Sequence, residues 1–91
     1  MSLIEQIKNG ELDEVELLEY VTDNDINVAI AVAESSMATE PILDIAANDI
    51  DRRVRLAAVM NPNIGKQTLI RLTKDTDIEI ATIAYQCLDR G

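Results

Sequence analysis

The chain has 91 residues, of which 47% are hydrophobic, and this length predicts one domain with one modest core. Trp and Phe are absent, so Ala, Ile, Leu and Val must fill that core. A single Cys excludes an internal disulfide and thiolate metal clusters, and the absence of His removes imidazole-based triads and metal sites. We therefore expect a protein that is not an enzyme and that uses no cofactor or metal.

Charge is distributed unevenly along the chain. Seventeen acidic and eight basic residues give a formal net charge of −9, which disfavours direct binding to nucleic acid or anionic lipid. Residues 1–40 contain ten carboxylates and one basic residue, whereas residues 41–91 contain seven residues of each sign. The sequence shows no apolar run long enough for a membrane span and no signal-peptide pattern, so we expect a cytoplasmic protein without a membrane partner.

Local signals predict where the helices begin. Ser2-Leu3-Ile4-Glu5 and Asp13-Glu14-Val15-Glu16 are capping-box patterns, in which the first side chain and the Glu bond to each other's backbone N–H. Asp25, Asp51 and Asp77 are each placed to accept an N–H at the start of a later helix, where a carboxylate also suits the helix dipole. These signals predict five helix starts.

Apolar periodicity and breakers complete the helix prediction. Val54, Ala57 and Ala58 have the i, i+3, i+4 spacing of a helix face. Asn61-Pro62 ends that helix, because proline cannot donate the next bond and its predecessor is pushed out of the helical region. The predicted helices span residues 2–9, 13–22, 26–35, 40–48, 52–60, 66–74 and 78–89.

The chain matches itself when it is shifted by 26 residues. Each unit has a Leu, then Asp-x-Asp, then a Val or Ile followed by small or apolar residues. The period predicts a single domain with a half repeat at 1–14 and repeats at approximately 15–40, 41–66 and 67–91. The aligned positions are Leu17, Leu43 and Leu69; Asp23, Asp49 and Asp75; Asp25, Asp51 and Asp77; and Val28, Val54 and Ile80.

Short paired helices cannot bury a face alone and must stack on their neighbours. The sequence therefore predicts an all-α fold, a small right-handed α-solenoid of about three and a half 26-residue two-helix repeats. Ile30, Leu56 and Thr82 occupy equivalent positions, so the apolar residue becomes polar only in the last unit. We expect the next repeat to cover the first two, and Thr82, Gln86 and Asp89 to close the end of a complete small protein.

A family resemblance is strongest between residues 41 and 80. The segment Val54-Arg55-Leu56-Ala57-Ala58, followed by Asn61-Pro62-Asn63, Thr68-Leu69, Leu72 and Asp75-x-Asp77, resembles the leucine-rich repeat variant and is similar to bacterial HEAT-like repeats. The resemblance implies a superhelix in which one helix of each pair is shorter and either α or 3₁₀, and which acts as a binding scaffold. An iron–sulfur member of the family has a cysteine cluster that is absent here, so the resemblance implies no cluster.

The acidic stretch from Glu11 to Asp25 holds seven carboxylates and no basic residue. Like charges at i, i+3 spacing destabilise a helix by a few tenths of a kcal/mol per pair. One interpretation is a solubility surface with Leu12, Val15, Leu17, Leu18 and Val21 buried beneath it. The other is a docking face for a protein or peptide with a basic surface, whose candidate residues are Glu11, Asp13, Glu14, Glu16 and Glu19.

Arg52, Arg53 and Arg55 form the chain's basic cluster and complete the set of candidate partner-binding residues. Arg52 and Arg53 could instead face solvent, and Arg55 could reach an acid in a neighbouring repeat. A weak head-to-tail self-association, in which the acidic end of one molecule meets the arginines of another, is a further hypothesis.

The sequence contains a candidate calcium loop and a candidate nucleophilic cysteine, and the neighbouring residues argue against both. Asp23, Asp25, Asn27 and Glu34 have EF-hand spacing, but Val28 stands where the calcium loop needs a glycine. Cys87 lacks an activating base and is predicted to be a small, partly buried thiol. We therefore predict a non-enzymatic helical-repeat adaptor for protein–protein interaction. The alternative is an acidic inhibitor that imitates nucleic acid and occupies the cleft of a basic nucleic-acid-binding protein.

Overall fold

Helices make up all the regular structure of residues 1–90, the part of the chain that the computed structural model describes. This confirms the all-α class and the seven predicted helices. Helix starts recur at 14, 40 and 66 and again at 26, 52 and 78, which matches the 26-residue spacing. The helices are α1 (Leu3–Lys8), α2 (Glu14–Tyr20), α3 (Ile26–Glu34), α4 (Glu40–Ala46), α5 (Arg52–Met60), α6 (Lys66–Leu72) and α7 (Ile78–Arg90).

The short helices α2, α4 and α6 each end two residues earlier than predicted. After α4, the N–H groups of Asn48 and Asp49 donate to carbonyls three residues back, at Ile45 and Ala46. These tighter bonds satisfy the carbonyls at the helix end and turn the chain toward the next helix.

The predicted caps are present at the helix starts. Ser2 and Asp13 each form a complete capping box with the Glu three residues later. Asp25, Asp51 and Asp77 each accept an N–H from the residue two positions on. The first Asp of each pair accepts the N–H of the second, at 2.8 Å in all three turns. Each Asp-x-Asp motif therefore shapes a turn and then caps a helix.

The ends of the longer helices α5 and α7 follow sequence signals. α5 stops at Met60, with Asn61 in an extended conformation before Pro62. α7 continues for 13 residues, whereas α5 has nine, because Cys87 and Leu88 stand where Asn61 and Pro62 end α5. Neither residue removes a backbone donor, so the helix bonds continue.

Four helices form a row along the molecule. α1 contacts α3, α3 contacts α5, and α5 contacts α7. The short helices lie beside this row, with α2 against α3, α4 against α3 and α5, and α6 against α7. The molecule measures 38 × 24 × 16 Å.

The core runs between the row and the short helices. Its largest buried side chains are aliphatic, among them Ile7, Leu17, Ile42, Leu43 and Ile80. Small buried residues on α3, including Ala29 and Ala33, let neighbouring helices approach closely. The expected Ala, Ile, Leu and Val core is confirmed. As predicted, Ile7 of α1 is buried while Glu5 and Lys8 face solvent.

Ile30 and Leu56, which the sequence predicts to be covered, are covered only in part: both are half-buried and pack against the core, whereas Thr82 is exposed. The covered position in α5 is Val59, which is 1% exposed, and the equivalent residue in α7 is Tyr85, which is 64% exposed. Successive helix residues are rotated by about 100°, so Leu56 lies at the edge of the face whose centre is near Arg55 and Val59.

Candidate functional site

The outer side of α2 combines carboxylates with exposed apolar side chains. Val15 is 69% exposed and Leu18 is 45% exposed. The prediction that both are buried is wrong, because α2 meets the core at Leu17, and Val15 is rotated from Leu17 by about 160° and Leu18 by about 100°. Leu17 and Val21 are buried as predicted, and Leu12 is half-buried.

The carboxylates of this region differ in how they are bonded. Asp13 accepts the N–H of Glu16 at 2.9 Å, and Glu16 accepts the N–H of Asp13 at 3.1 Å. Glu11 accepts a long bond of 3.4 Å from the amide of Asn9. Glu14 and Glu19 form no side-chain hydrogen bond or ion pair within residues 1–90. Two of the five candidates therefore cap α2, and two are free to meet a partner.

Ion pairs lie outside the acidic stretch. The five found among the described residues join groups between Asp44 and Glu79. None of the carboxylates in residues 1–40 takes part in them. Five of the seven acids in residues 41–91 are thus paired with arginines at short range, while none of the ten acids in residues 1–40 is paired with a cation among the described residues.

Arg52 and Arg53 meet acids from the turns around α5 and α7. Arg52 donates to Asp77 and, at 2.7 Å, to Glu79, and these bonds raise its pKa. Arg53 donates to Asp51 at 2.8 Å and 3.1 Å, and this bond raises its pKa as well. Both guanidinium groups remain about half-exposed, so a partner could still reach them.

The Arg55 side chain is more buried than those of Arg52 and Arg53. Its side chain is 15% exposed and forks onto Asp75, which is 7% exposed, with N–O distances of 2.9 and 3.2 Å. It also donates to the carbonyls of Asp49 and Ile50. Arg55 therefore bridges two successive turns, as the sequence predicts, and little of its donor capacity is left for a partner.

Asp44 of α4 accepts hydrogen bonds from two side chains of α6. Thr68 donates to one carboxylate oxygen at 2.8 Å, and Arg71 donates to the same oxygen at 2.7 Å. The hydrogen bond from Thr68 is the main cause of the lowered pKa of Asp44, followed by that from Arg71. No sequence signal identified this contact, because it depends on how α4 and α6 lie beside each other.

An open groove lies between α3 and α5. It encloses about 410 Å³, and its apolar lining comes from Ile30, Leu56 and Met60. Glu34 and Arg53 place one charge of each sign on its lining. The volume suits apolar side chains of a ligand or peptide.

The residues with EF-hand spacing are used by the backbone. Asp23 and Asp25 accept N–H groups in the turn before α3, and no group of three or more potential ligands is close enough to hold a metal ion between residues 1 and 90. Cys87 is half-buried, as predicted. Over the same range, none of the helices has both the length and the apolar character needed to cross a bilayer.

Comparison with known proteins gave no match to a protein-family model, to a curated protein or to a solved structure.

Proposed function

We propose that this protein is a non-enzymatic adaptor whose α2 surface binds a basic, amphipathic segment of another protein. We define the acidic α2 face as Glu11, Asp13, Glu14, Val15, Glu16, Leu18 and Glu19. The observation that supports it most is the placement of the ion pairs, which involve five of the seven acids in residues 41–91 and none of the ten acids in residues 1–40. Such a field accelerates encounter with a cationic partner.

The proposed scaffold for this face is a small right-handed α-solenoid of 26-residue helix pairs. Two series of helix starts with the same spacing, and the contacts in series among α1, α3, α5 and α7, support that arrangement. It agrees with the resemblance to the leucine-rich repeat variant and to HEAT-like repeats. Stacked helix pairs present continuous surfaces suited to extended partners.

The chemistry of the face specifies the partner more closely. Val15 and Leu18 are neighbours on one side of α2, and Glu14 and Glu19 flank them at i, i+4 spacing. An amphipathic helix with apolar residues on one side and Lys or Arg beside them would contact both kinds of group. A pure phosphate mimic would have no use for two exposed aliphatic side chains, so their presence favours the adaptor over the nucleic-acid mimic.

Binding of a labelled Leu/Lys amphipathic peptide, followed by fluorescence anisotropy, tests this function. We expect binding at about 0.05 M salt that weakens strongly at about 0.5 M, where exposed charges are screened within a few ångströms. The Glu14→Gln/Glu19→Gln variant should lose most of this salt dependence. The Val15→Ser/Leu18→Ser variant should bind several-fold more weakly at both salt concentrations.

Matched controls come from other exposed positions of the chain. Glu34→Gln/Asp89→Asn removes two exposed carboxylates outside the acidic α2 face, and Ile50→Ser removes an exposed aliphatic side chain. Both should bind the peptide like the wild type. Equal loss in the control variants would contradict the proposal. Wild-type affinity in Val15→Ser/Leu18→Ser, with loss only in the charge variant, would favour the mimic instead.

A further inference from the structure

The outer side of α7 carries an apolar stripe at helical spacing. Ile78 and Tyr85 are exposed, and Ala81 and Leu88 are half-buried. These four residues lie at i, i+3, i+7 and i+10, so they follow one side of the helix. No other element among residues 1–90 covers Ile78 or Tyr85.

The Tyr85 position of the stripe is interior in α3 and α5. Tyr85 corresponds to Ala33 and Val59, which are both buried. The other three stripe residues have counterparts in α5 that are not buried. α5 lies against α3, and α7 lies against α5. Tyr85 therefore occupies, on the last helix of the row, a position that is covered in the two preceding helices.

We propose that a second copy of this chain covers the stripe, with two α7 helices packed antiparallel about a two-fold axis. An antiparallel register centred near residue 83 sets each Tyr85 over the small Ala81 of the second copy. The same register sets each Ile78 against Leu88 of the second copy. This register places one large side chain over a small one, Tyr85 over Ala81, and packs two aliphatic side chains together, so the stripe is complementary to itself, as a closed two-fold interface requires.

The charge distribution favours the α7 end of the molecule as the interface between two copies. Residues 41–91 contain equal numbers of acidic and basic residues, so two such halves meet without net repulsion. Among residues 41–91 only Asp49 and Asp89 take no part in the ion pairs found within residues 1–90, whereas none of the ten acids in residues 1–40 is paired. Most of those ten lie on or beside α2, which packs against α3. Two helix-to-helix steps of 8–10 Å separate α3 from α7, so the distance is roughly 16–20 Å, about twice the Debye length at physiological salt.

A head-to-tail contact fits the stripe less well. The side of α1 that faces away from α3 presents Glu5 and Asn9, the counterparts of residues 31 and 35 of the next unit, and Lys8 is exposed beside them. Burying Tyr85 against these groups would desolvate polar atoms without providing partners for them. It would also bring the acidic half of one copy next to another copy. The two-fold contact avoids both costs.

Sedimentation equilibrium tests the dimer, which rests on α7 and not on the acidic α2 face. We expect the average mass to rise from 10.1 kDa toward twice that value as concentration approaches about 1 mM, the range in which weak associations become populated. Tyr85→Asp should stay at the monomer mass. Val15→Asp adds the same charge at another exposed apolar position and should dimerise like the wild type.

Amide NMR signals on dilution give a second readout that needs no variant. Signals of residues 78–88 should shift with concentration, and those of residues 14–19 should stay constant. A wild type that remains monomeric up to about 1 mM would overturn the proposal. So would a dimer that survives Tyr85→Asp, or concentration-dependent shifts confined to α1 and α2. Loss of peptide binding in Val15→Asp with the dimer intact would separate this proposal from the proposed function.

Discussion

Asn61 and Asn63 show how one residue type contributes differently at two neighbouring positions. Asn61 is buried, and its side-chain N–H groups donate to the carbonyls of Ala33 and Ser35 at 2.9 and 2.8 Å. Asn63 is exposed and donates to the carbonyls of Ser36 and Ala38 at 2.9 and 3.0 Å. Water can replace the bonds of Asn63 far more easily than those of Asn61.

Asn61→Ala should therefore lower the free energy of unfolding by about 2 to 3 kcal/mol, since it removes two buried hydrogen bonds and the acceptor of the Asn63 N–H, and leaves a small void. Asn63→Ala, the matched control, removes two bonds of the same kind at the surface and should cost about 1 kcal/mol or less. Urea denaturation of both variants measures the difference. Equal losses would show that burial does not decide the strength of these contacts.

At the scale of the helix, caps and breakers explain where each element begins and ends. Asp51 accepts the N–H of Arg53 and also pairs with the Arg53 side chain, so one carboxylate starts α5 and holds its first turn. The bond from the Arg53 side chain, followed by the Arg53 N–H, lowers the pKa of Asp51 to about 2. The ordinary value for Asp in an unfolded chain is about 3.9.

A lowered pKa fixes the sign of the pH dependence. The charged Asp51 stabilises the folded state fully above about pH 4, and that contribution is lost as the pH falls toward 2. Arg53→Met should raise the pKa of Asp51 in the folded protein, measured by carboxyl-carbon NMR, and flatten this part of the stability profile. Arg52→Met removes a guanidinium that bonds Asp77 instead and should leave Asp51 unchanged. If the pKa of Asp51 is the same in Arg53→Met as in the wild type, Arg53 is not the cause of the lowered value.

For the whole molecule, polar contacts between residues 20 to 28 positions apart connect elements that are distant in the chain. Arg55 reaches Asp75, Thr68 and Arg71 reach Asp44, and Asn61 reaches Ala33 and Ser35. Each contact joins a helix or turn to one that follows or precedes it by more than one element. The core has few bulky residues, so its packing alone fixes the relative placement of the helices only weakly. Hydrogen bonds of specific geometry help to fix that placement.

Arg55→Met should lower the free energy of unfolding by about 2 to 3 kcal/mol, because it leaves the largely buried Asp75 carboxylate without its guanidinium partner. Arg53→Met is the matched control. Its partner Asp51 is two residues away, and its side chain is mostly exposed, so the urea midpoint at neutral pH should fall only slightly and far less than in Arg55→Met. If the two variants unfold at the same urea concentration, the bridge between successive turns does not stabilise the fold.

Much of the candidate site could be found from the sequence, and its limits have a clear physical cause. The acidic stretch and the arginine cluster are visible as composition. Burial of Val15 and Leu18 was predicted incorrectly, because apolar character alone does not say which side of a short helix meets the core. The groove between α3 and α5 and the stripe on α7 depend on which helices are neighbours, and no local pattern reports that.

The sequence by itself determined the all-α class, the seven helices, their caps and the 26-residue spacing of their starts, because these depend on backbone bonds and side chains within a few residues. It also determined that the net charge lies in the first 40 residues. Only the tertiary structure decided which carboxylates are paired, which aliphatic side chains stay exposed and which side of α7 is left uncovered. Those outcomes require contacts between residues 20 or more positions apart, such as that between Arg55 and Asp75.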